Sequence, residues 1–266
     1  MDFLDYKYAL VTGASSGIGR EYAVQLAARG YGVVLVSNQD EANRVVAEQI
    51  AAEYKVPTFP YYMDLTADGA AKQLWKWTIE QRLEVEVLVC NAGILLFGRI
   101  VAMSTEKLQN IVTLHCTSTT LLCRYFGEAM CARKRGFILL MSSSAAWMPY
   151  PSIAAYAATK AYLRSFSRAI HGEMAMEGVR VTAVFPGAVD TPLYQLSEKM
   201  RRRLVWWGVM STPQYIARKG LSALFKGRYR CIPGIFTKIS LVACRLIPAC
   251  VIRSLLRIPA VRRLIG

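Results

Sequence analysis

After Glu198 the 266-residue chain has no aspartate or glutamate, although that last stretch carries 15 lysines and arginines. Up to Glu198, 18 lysines and arginines meet 18 carboxylates, so the entire net charge of +15 belongs to the final quarter. A terminus polarised in this way suits an anionic surface, either membrane or nucleic acid. Histidine is scarce, with only His115 and His171, and the seven cysteines form no Cys-x-x-Cys pair. Without a Cys/His cluster no metal site is assigned, and an odd set of thiols spread through apolar runs reads as buried and reduced. No uninterrupted apolar run reaches the roughly 18 to 20 residues that a bilayer crossing needs, because lysine or arginine breaks every candidate. The first β-rich run, from Tyr8, follows only seven residues, which leaves no room for a signal peptide, and the expected location is the cytoplasm. With 54% apolar and 19% charged residues, intrinsic disorder is excluded.

What is present is an alternation of short β-branched runs with longer helical patterns. Strands are predicted at Tyr8 to Val11, Gly32 to Ser37, Thr58 to Tyr62, Val85 to Cys90, Gly136 to Ser142 and Arg180 to Phe185. Residues with 3.6-residue periodicity lie between them, as in Glu21 to Arg29, Glu41 to Tyr54 and Ala70 to Arg82. Strict alternation implies an α/β fold with a doubly wound parallel sheet. After Thr191 the pattern changes. Leu193 to Ser211 reads as a helical lid, and Thr212-Pro213 supplies an N-cap and a first-turn proline.

Residues 233–266 read as a basic amphipathic helical extension. Lys238 and Arg245 lie seven apart and Arg253 and Arg257 four apart, which puts cations on one helical face among apolar neighbours. Pro248 and Pro259 divide the segment into short helices suited to lying in an interface. Aromatics for stacking bases are not interleaved, so an anionic membrane surface is the expected partner and nucleic acid is not.

Directly after the first strand stands Thr12-Gly13-Ala14-Ser15-Ser16-Gly17-Ile18-Gly19, a glycine-rich turn opening a helix, where backbone amides can approach a pyrophosphate. Its spacing is G-x-x-x-G-x-G. Asn91-Ala92-Gly93 follows the fourth strand, Ser143 follows the fifth, and Pro186-Gly187-Ala188-Val189-Asp190-Thr191 follows the sixth. Tyr156 and Lys160, four apart, share a helix face.

These residues resemble the short-chain dehydrogenase/reductase family over about residues 6 to 232; the expected domain is 1–232, with a lid near 190–212. The resemblance implies a single Rossmann-type domain that binds a nicotinamide dinucleotide, transfers hydride between it and an alcohol or ketone, and works as a homo-oligomer. It makes Tyr156 the acid/base, Lys160 the holder of the nicotinamide ribose and Ser143 the group that polarises the substrate oxygen. Chemistry agrees: a tyrosine with a reference pKa of about 10 needs a nearby cation to act near neutrality. Cofactor contacts are implied at Thr12, Gly13, Ser15, Ser16, Gly17, Ile18, Gly19, Ser37, Asn38, Asp64, Leu65, Asn91, Ala92, Gly93, Tyr156, Lys160, Pro186, Gly187, Val189 and Thr191. Where the family usually carries an asparagine that holds a relay water, this chain has His115. It is either a catalytic relay group titrating at about pH 5.5 to 7.5 or a buried neutral histidine, with Thr117 or Ser118 binding the water instead.

Ser37 occupies the end of the second strand, where a carboxylate would select NAD(H), so NADP(H) is the expected cofactor, although Asn38 is not the arginine that relatives often show. Trp147, Met148, Phe97, Phe185, Trp206 and Trp207 are expected to make a large apolar substrate wall. With the basic extension after Arg230-Cys231-Ile232-Pro233-Gly234, the sequence looks like the membrane-associated branch that reduces steroids, long-chain 3-oxoacyl groups or ketosphingoid lipids. A catalytically silent dinucleotide-binding scaffold on membranes is the alternative.

Overall fold

The structure, a computed structural model, describes residues 6–147, 151–191 and 198–245. The described strands form one parallel sheet: β1 (Tyr8–Thr12), β2 (Gly32–Ser37), β3 (Thr58–Tyr62), β4 (Val85–Cys90), β5 (Gly136–Met141), β6 (Val179–Val184) and β7 (Arg230–Cys231). Their spatial order is β3-β2-β1-β4-β5-β6-β7. The Rossmann-type arrangement expected from the sequence is present. The six predicted strands all appear, with ends shifted by at most one residue. The two-residue β7, which extends the sheet beyond β6 through Ala183↔Arg230 and Val184↔Cys231, was not predicted, because two residues carry no periodicity.

Alternation of side chains along each buried strand explains the helices on both faces. Ala9 and Val11 of β1, with Val33 and Leu35 of β2, point to one face. There they meet Tyr22 and Leu26 of α1 (Gly17–Ala27), Val46 and Ile50 of α2 (Asp40–Tyr54), and Ile216, Leu221 and Leu224 of α8 (Pro213–Phe225). Tyr8 and Leu10, with Val34 and Val36, point to the other face. They meet Leu74 of α3 (Ala70–Glu80), Leu122, Phe126 and Met130 of α5 (Thr119–Ala132), and Ile170 of α6 (Ala154–Ala175). Each fully buried leucine or isoleucine in these layers contributes about 1.5 to 3 kcal/mol. The polar exception within β4, Glu86, accepts hydrogen bonds from Arg135 at 3.1 Å and from the Tyr31 hydroxyl at 3.4 Å.

Helix α4 (Thr105–Val112) is N-capped by the Ser104 hydroxyl, which accepts from the Lys107 amide. It runs into α5 through a π turn, Thr113–Ser118, that the 3.6-residue pattern did not foretell. Thr212 caps α8 as expected, accepting from the Tyr215 amide at 3.3 Å with Pro213 in the first turn. Of the predicted lid, Leu193 to Ser197 lie outside the described residues, and the rest contains α7 (Glu198–Trp206). Helix α9 (Ile235–Arg245) opens the C-terminal extension, and Thr237 is buried where a Cβ on Gly187 would come within 2.5 Å of its hydroxyl. The later segment with Arg253 and Arg257, and Met148 of the expected wall, lie outside the described residues.

Candidate active site

Strand order reverses between β1 and β4, so the loops leaving their carboxyl ends part and open a crevice, the usual ligand position in an open α/β sheet. A cleft of about 580 Å³ occupies that point. Its floor is the glycine turn. Gly13 and Gly17 have φ of +67° and +55°, values at which a side chain is strained. At Gly19 a Cβ would stand 2.0 Å from the Gly13 carbonyl and 2.5 Å from Asn91 Nδ2, so only glycine lets α1 start this close to the strand. The helix therefore begins at Gly17, four residues before the predicted Glu21.

Thr12 and Asn91 fasten the turn to the end of β4. The Thr12 hydroxyl accepts from the Asn91 and Ala92 amides, both at 3.0 Å, and Asn91 Nδ2 donates to the Thr12 and Gly13 carbonyls at 3.0 and 3.3 Å. Thr12 is buried and, like Gly19, does not line the cleft; both shape it from behind. The other expected cofactor residues line it: Gly13, Ser15, Ser16, Gly17, Ile18, Ser37, Asn38, Asp64, Leu65, Asn91, Ala92, Gly93, Tyr156, Lys160, Pro186, Gly187, Val189 and Thr191. Not among the expected site residues are Val36, Gln39, Met63, Thr66, Ile94, Asn110, Leu114, Met141 and Ser142, which also line it. Ile94 was findable as the residue after Asn91-Ala92-Gly93. The placement of Asn110 and Leu114 depends on how α4 and the π turn pack.

At the β2 end, Ser37 Oγ bonds Ser15 Oγ at 2.9 Å and accepts from the Gln39 amide at 3.1 Å. Among the described residues that line the cleft, Asp64 is the only carboxylate and Lys160 the only lysine or arginine. The Asp64 carboxylate is engaged in its own loop, accepting from the Thr66 amide at 2.8 Å and hydroxyl at 2.7 Å. Arg20, on the first turns of α1, is drawn aside to Glu21 and Gln49 at 3.4 and 3.3 Å.

At the other end of the cleft stand Ser143, Tyr156, Lys160 and His115. Lys160, on α6, is buried and donates to the Met141 carbonyl at 2.9 Å. Burial lowers its pKa to about 8, opposed by nearby Cys116. Its Nζ lies 5.5 Å from the centre of the Tyr156 ring, one helical turn away. Ser143 Oγ accepts from the Ala145 amide at 3.1 Å, which orients the hydroxyl at the end of β5. His115 is 1% exposed; its Nε2 accepts from the Ile94 amide at 3.0 Å and its Nδ1 bonds Thr159 Oγ1 at 2.8 Å. Burial, reinforced by the Lys160 charge, holds its pKa well below the usual range. The titration expected of a relay histidine near pH 5.5 to 7.5 is thus displaced to lower pH. Of the two alternatives to it, Ser118 spends its hydroxyl proton on the Leu65 carbonyl, and Thr117 is exposed.

The expected apolar wall is only partly assembled. Trp147 packs on Phe185 with ring centres 4.6 Å apart, but Phe97, Trp206 and Trp207 are 62, 83 and 64% exposed.

The sequence matches the short chain dehydrogenase family over residues 7–202, and the chain belongs to that family. It is 32% identical over 220 residues to a human protein named inactive hydroxysteroid dehydrogenase-like protein 1, covering 82% of this chain and 66% of that one. It is 36% identical over 225 residues to a very-long-chain 3-oxoacyl-CoA reductase of Ajellomyces capsulatus, covering 83% and 64%. The chain thus spans 64 to 66% of the length of these relatives. A metagenomic short-chain oxidoreductase solved in complex with NADP superposes with a TM-score of 0.71 at 28% identity, over 87% of this chain and 98% of that one.

Proposed function

We propose that this protein is an NADP(H)-preferring ketoreductase acting on a bulky apolar ketone such as a steroid, a long-chain 3-oxoacyl group or a ketosphingoid lipid. The observation that carries the reading is the convergence of Ser143, Tyr156 and Lys160 at one end of a cleft whose other end is the Gly13–Gly19 turn. The cleft fits a dinucleotide, since glycines at 13, 17 and 19 leave backbone amides accessible at the start of α1, and its volume lies in the usual range for such ligands. When bound, the nicotinamide supplies or accepts the hydride. Tyr156 gives a proton to the substrate oxygen in reduction, Ser143 donates a hydrogen bond to that oxygen as charge develops, and Lys160 keeps a cation beside the phenol. The absence of a carboxylate at Ser37 and Asn38 supports NADP(H), and the names of the relatives support a lipid-like ketone. Homo-oligomerisation remains part of this reading.

The relative named as inactive favours a second reading, a silent dinucleotide-binding scaffold. One assay separates them: oxidation of NADPH and NADH followed over steroid, 3-oxoacyl and ketosphingoid ketones. Turnover with at least one ketone, with higher kcat/KM for NADPH, is expected. Binding of the dinucleotide without turnover on any of them leaves the scaffold.

We further propose peripheral association with anionic membranes. Among the described residues no helix is long and apolar enough to cross a membrane. On α9 the apolar side chains point outward: Ile235, Phe236, Ile239 and Val242 are 77, 52, 62 and 64% exposed, while Thr237 faces the body. An apolar stripe on a segment without acidic residues suits an anionic bilayer surface. The full chain should co-sediment with vesicles rich in phosphatidylglycerol, weaken as salt screens the charges, and ignore phosphatidylcholine. Ile239→Asp with Val242→Asp should lose sedimentation and keep dinucleotide binding. Unchanged sedimentation, or a change of oligomeric state in its place, rejects the membrane as the occupant of this face.

A further inference from the structure

His115 stands where three pieces of chain meet: the π turn that carries it, the segment after β4, and the first turns of α6. Its hydrogens have one consistent arrangement. The Ile94 amide is a fixed donor, so Nε2 must accept and the ring proton sits on Nδ1. Thr159 Oγ1 then accepts from Nδ1 at 2.8 Å and passes its own proton to the Tyr156 carbonyl, also at 2.8 Å. Protonating Nε2 would set two donors 3.0 Å apart in a site 1% exposed. The groups facing the ring agree. A Cβ placed on Gly93 would lie 2.9 Å from Nε2 and 3.6 Å from Lys160 Nζ, so the ammonium is a near neighbour that also opposes a second cation. The Tyr156 ring stands edge-on with centres 5.9 Å apart, and Cys116 follows on the same turn.

We propose that His115 is a positioning residue, not a proton carrier, and that its two nitrogens hold separate parts of the site. Nε2 fixes the Ile94 amide and so the cleft wall made by Gly93 and Ile94. Nδ1 fixes, through Thr159, the turn of α6 that presents Tyr156. The second arm rests on the reductase reading; the first does not, because Gly93 and Ile94 line the cleft whatever its chemistry.

The two arms separate by side-chain reach. An asparagine amide extends about as far as Nδ1 and a glutamine amide about as far as Nε2. His115→Asn keeps a donor for Thr159 and strands the Ile94 amide. It should weaken NADPH binding about tenfold, the scale of one unsatisfied buried donor, and lower kcat less than His115→Gln does. His115→Gln keeps the acceptor for Ile94 and releases Thr159. It should leave NADPH binding unchanged and lower kcat about tenfold. Thr159→Val should reproduce the kcat loss, and adding it to His115→Gln should cost nothing more. Equal loss of binding and kcat in both histidine variants overturns the proposal. So does an ionisation between about pH 5.5 and 7.5 in the wild-type rate that both variants abolish, since that marks a proton carrier. Should the wild-type protein reduce no ketone, the reductase reading fails, yet NADPH titration of the two variants still tests the first arm: equal affinities reject it. Should His115→Asn not fold, Thr159→Val decides the second arm, and an unchanged kcat rejects it.

Discussion

Tyr156→Phe should lower turnover at least a hundredfold while NADPH binds almost as before. The substitution deletes one oxygen and keeps the ring, and the ring contacts set the local geometry: the edge of His115 at 5.9 Å and Lys160 Nζ at 5.5 Å from its centre. These ring contacts are kept by phenylalanine. What disappears is the proton that the substrate oxygen takes as it gains negative charge, and a positioned general acid is worth about a hundredfold to ten-thousandfold. No other cleft residue is arranged to replace it. Lys160 spends a hydrogen bond on the Met141 carbonyl, and His115 has both nitrogens engaged. Stopped-flow or steady-state oxidation of NADPH with the best ketone is the measurement. Turnover within a few fold of wild type removes Tyr156 from the chemistry.

Lys160→Met should abolish turnover to a similar degree and, without cofactor, make the protein more stable. The two effects share one cause. Lys160 is buried, and its pKa falls from 10.5 to about 8, so near neutrality the fold holds a cation that the interior disfavours. At 1.36 kcal/mol per pKa unit the cost is about 3 kcal/mol. The sign follows from proton counts. Below pH 8 the folded and unfolded chains both carry the proton and the full cost is present. Between pH 8 and 10.5 the unfolded chain binds more protons, so wild-type stability rises with pH relative to the variant. A methionine of similar length carries no charge to desolvate and gives up one hydrogen bond to the Met141 carbonyl. Thermal melts of both apo-proteins should show the variant higher by several degrees at pH 7 and the gap closing toward pH 10.5. A variant that melts lower at pH 7, or that still turns over, contradicts this account of Lys160. A destabilising charge retained at this depth is the pattern of a group kept for chemistry.

Features that depend on neighbours along the chain were legible in the sequence. Tyr156 and Lys160 face the same way because a helix repeats every 3.6 residues, and four residues suffice to state it. The β-branched runs at Gly32, Thr58 and Val85 become strands with the bounds read from them, and their alternation forces a parallel sheet covered on both faces. The glycine turn announced a crevice at the end of β1, although its helix begins earlier than the apolar pattern suggested, because glycine contributes nothing to that pattern.

Features that depend on distant partners were not legible. His115 carried two readings in the sequence because its partners, Ile94 and Thr159, lie 21 and 44 residues away and meet it only when the π turn, the β4 loop and α6 pack together. Thr12 looked like a ligand contact, yet across 79 residues of separation it closes into a clasp with Asn91 and shapes the cleft from behind, while Asn91 itself lines it. Trp206 and Trp207 looked like pocket walls because aromatic content says nothing of direction; the packing of α7 leaves them outside. On α9 the spacing of Lys238 and Arg245 placed cations on one helical face, but only the burial of Thr237 against Gly187 decided that Ile235, Ile239 and Val242 face away from the body. Periodicity fixes which residues share a face, and tertiary contacts, made between segments far apart in the chain, decide what that face meets.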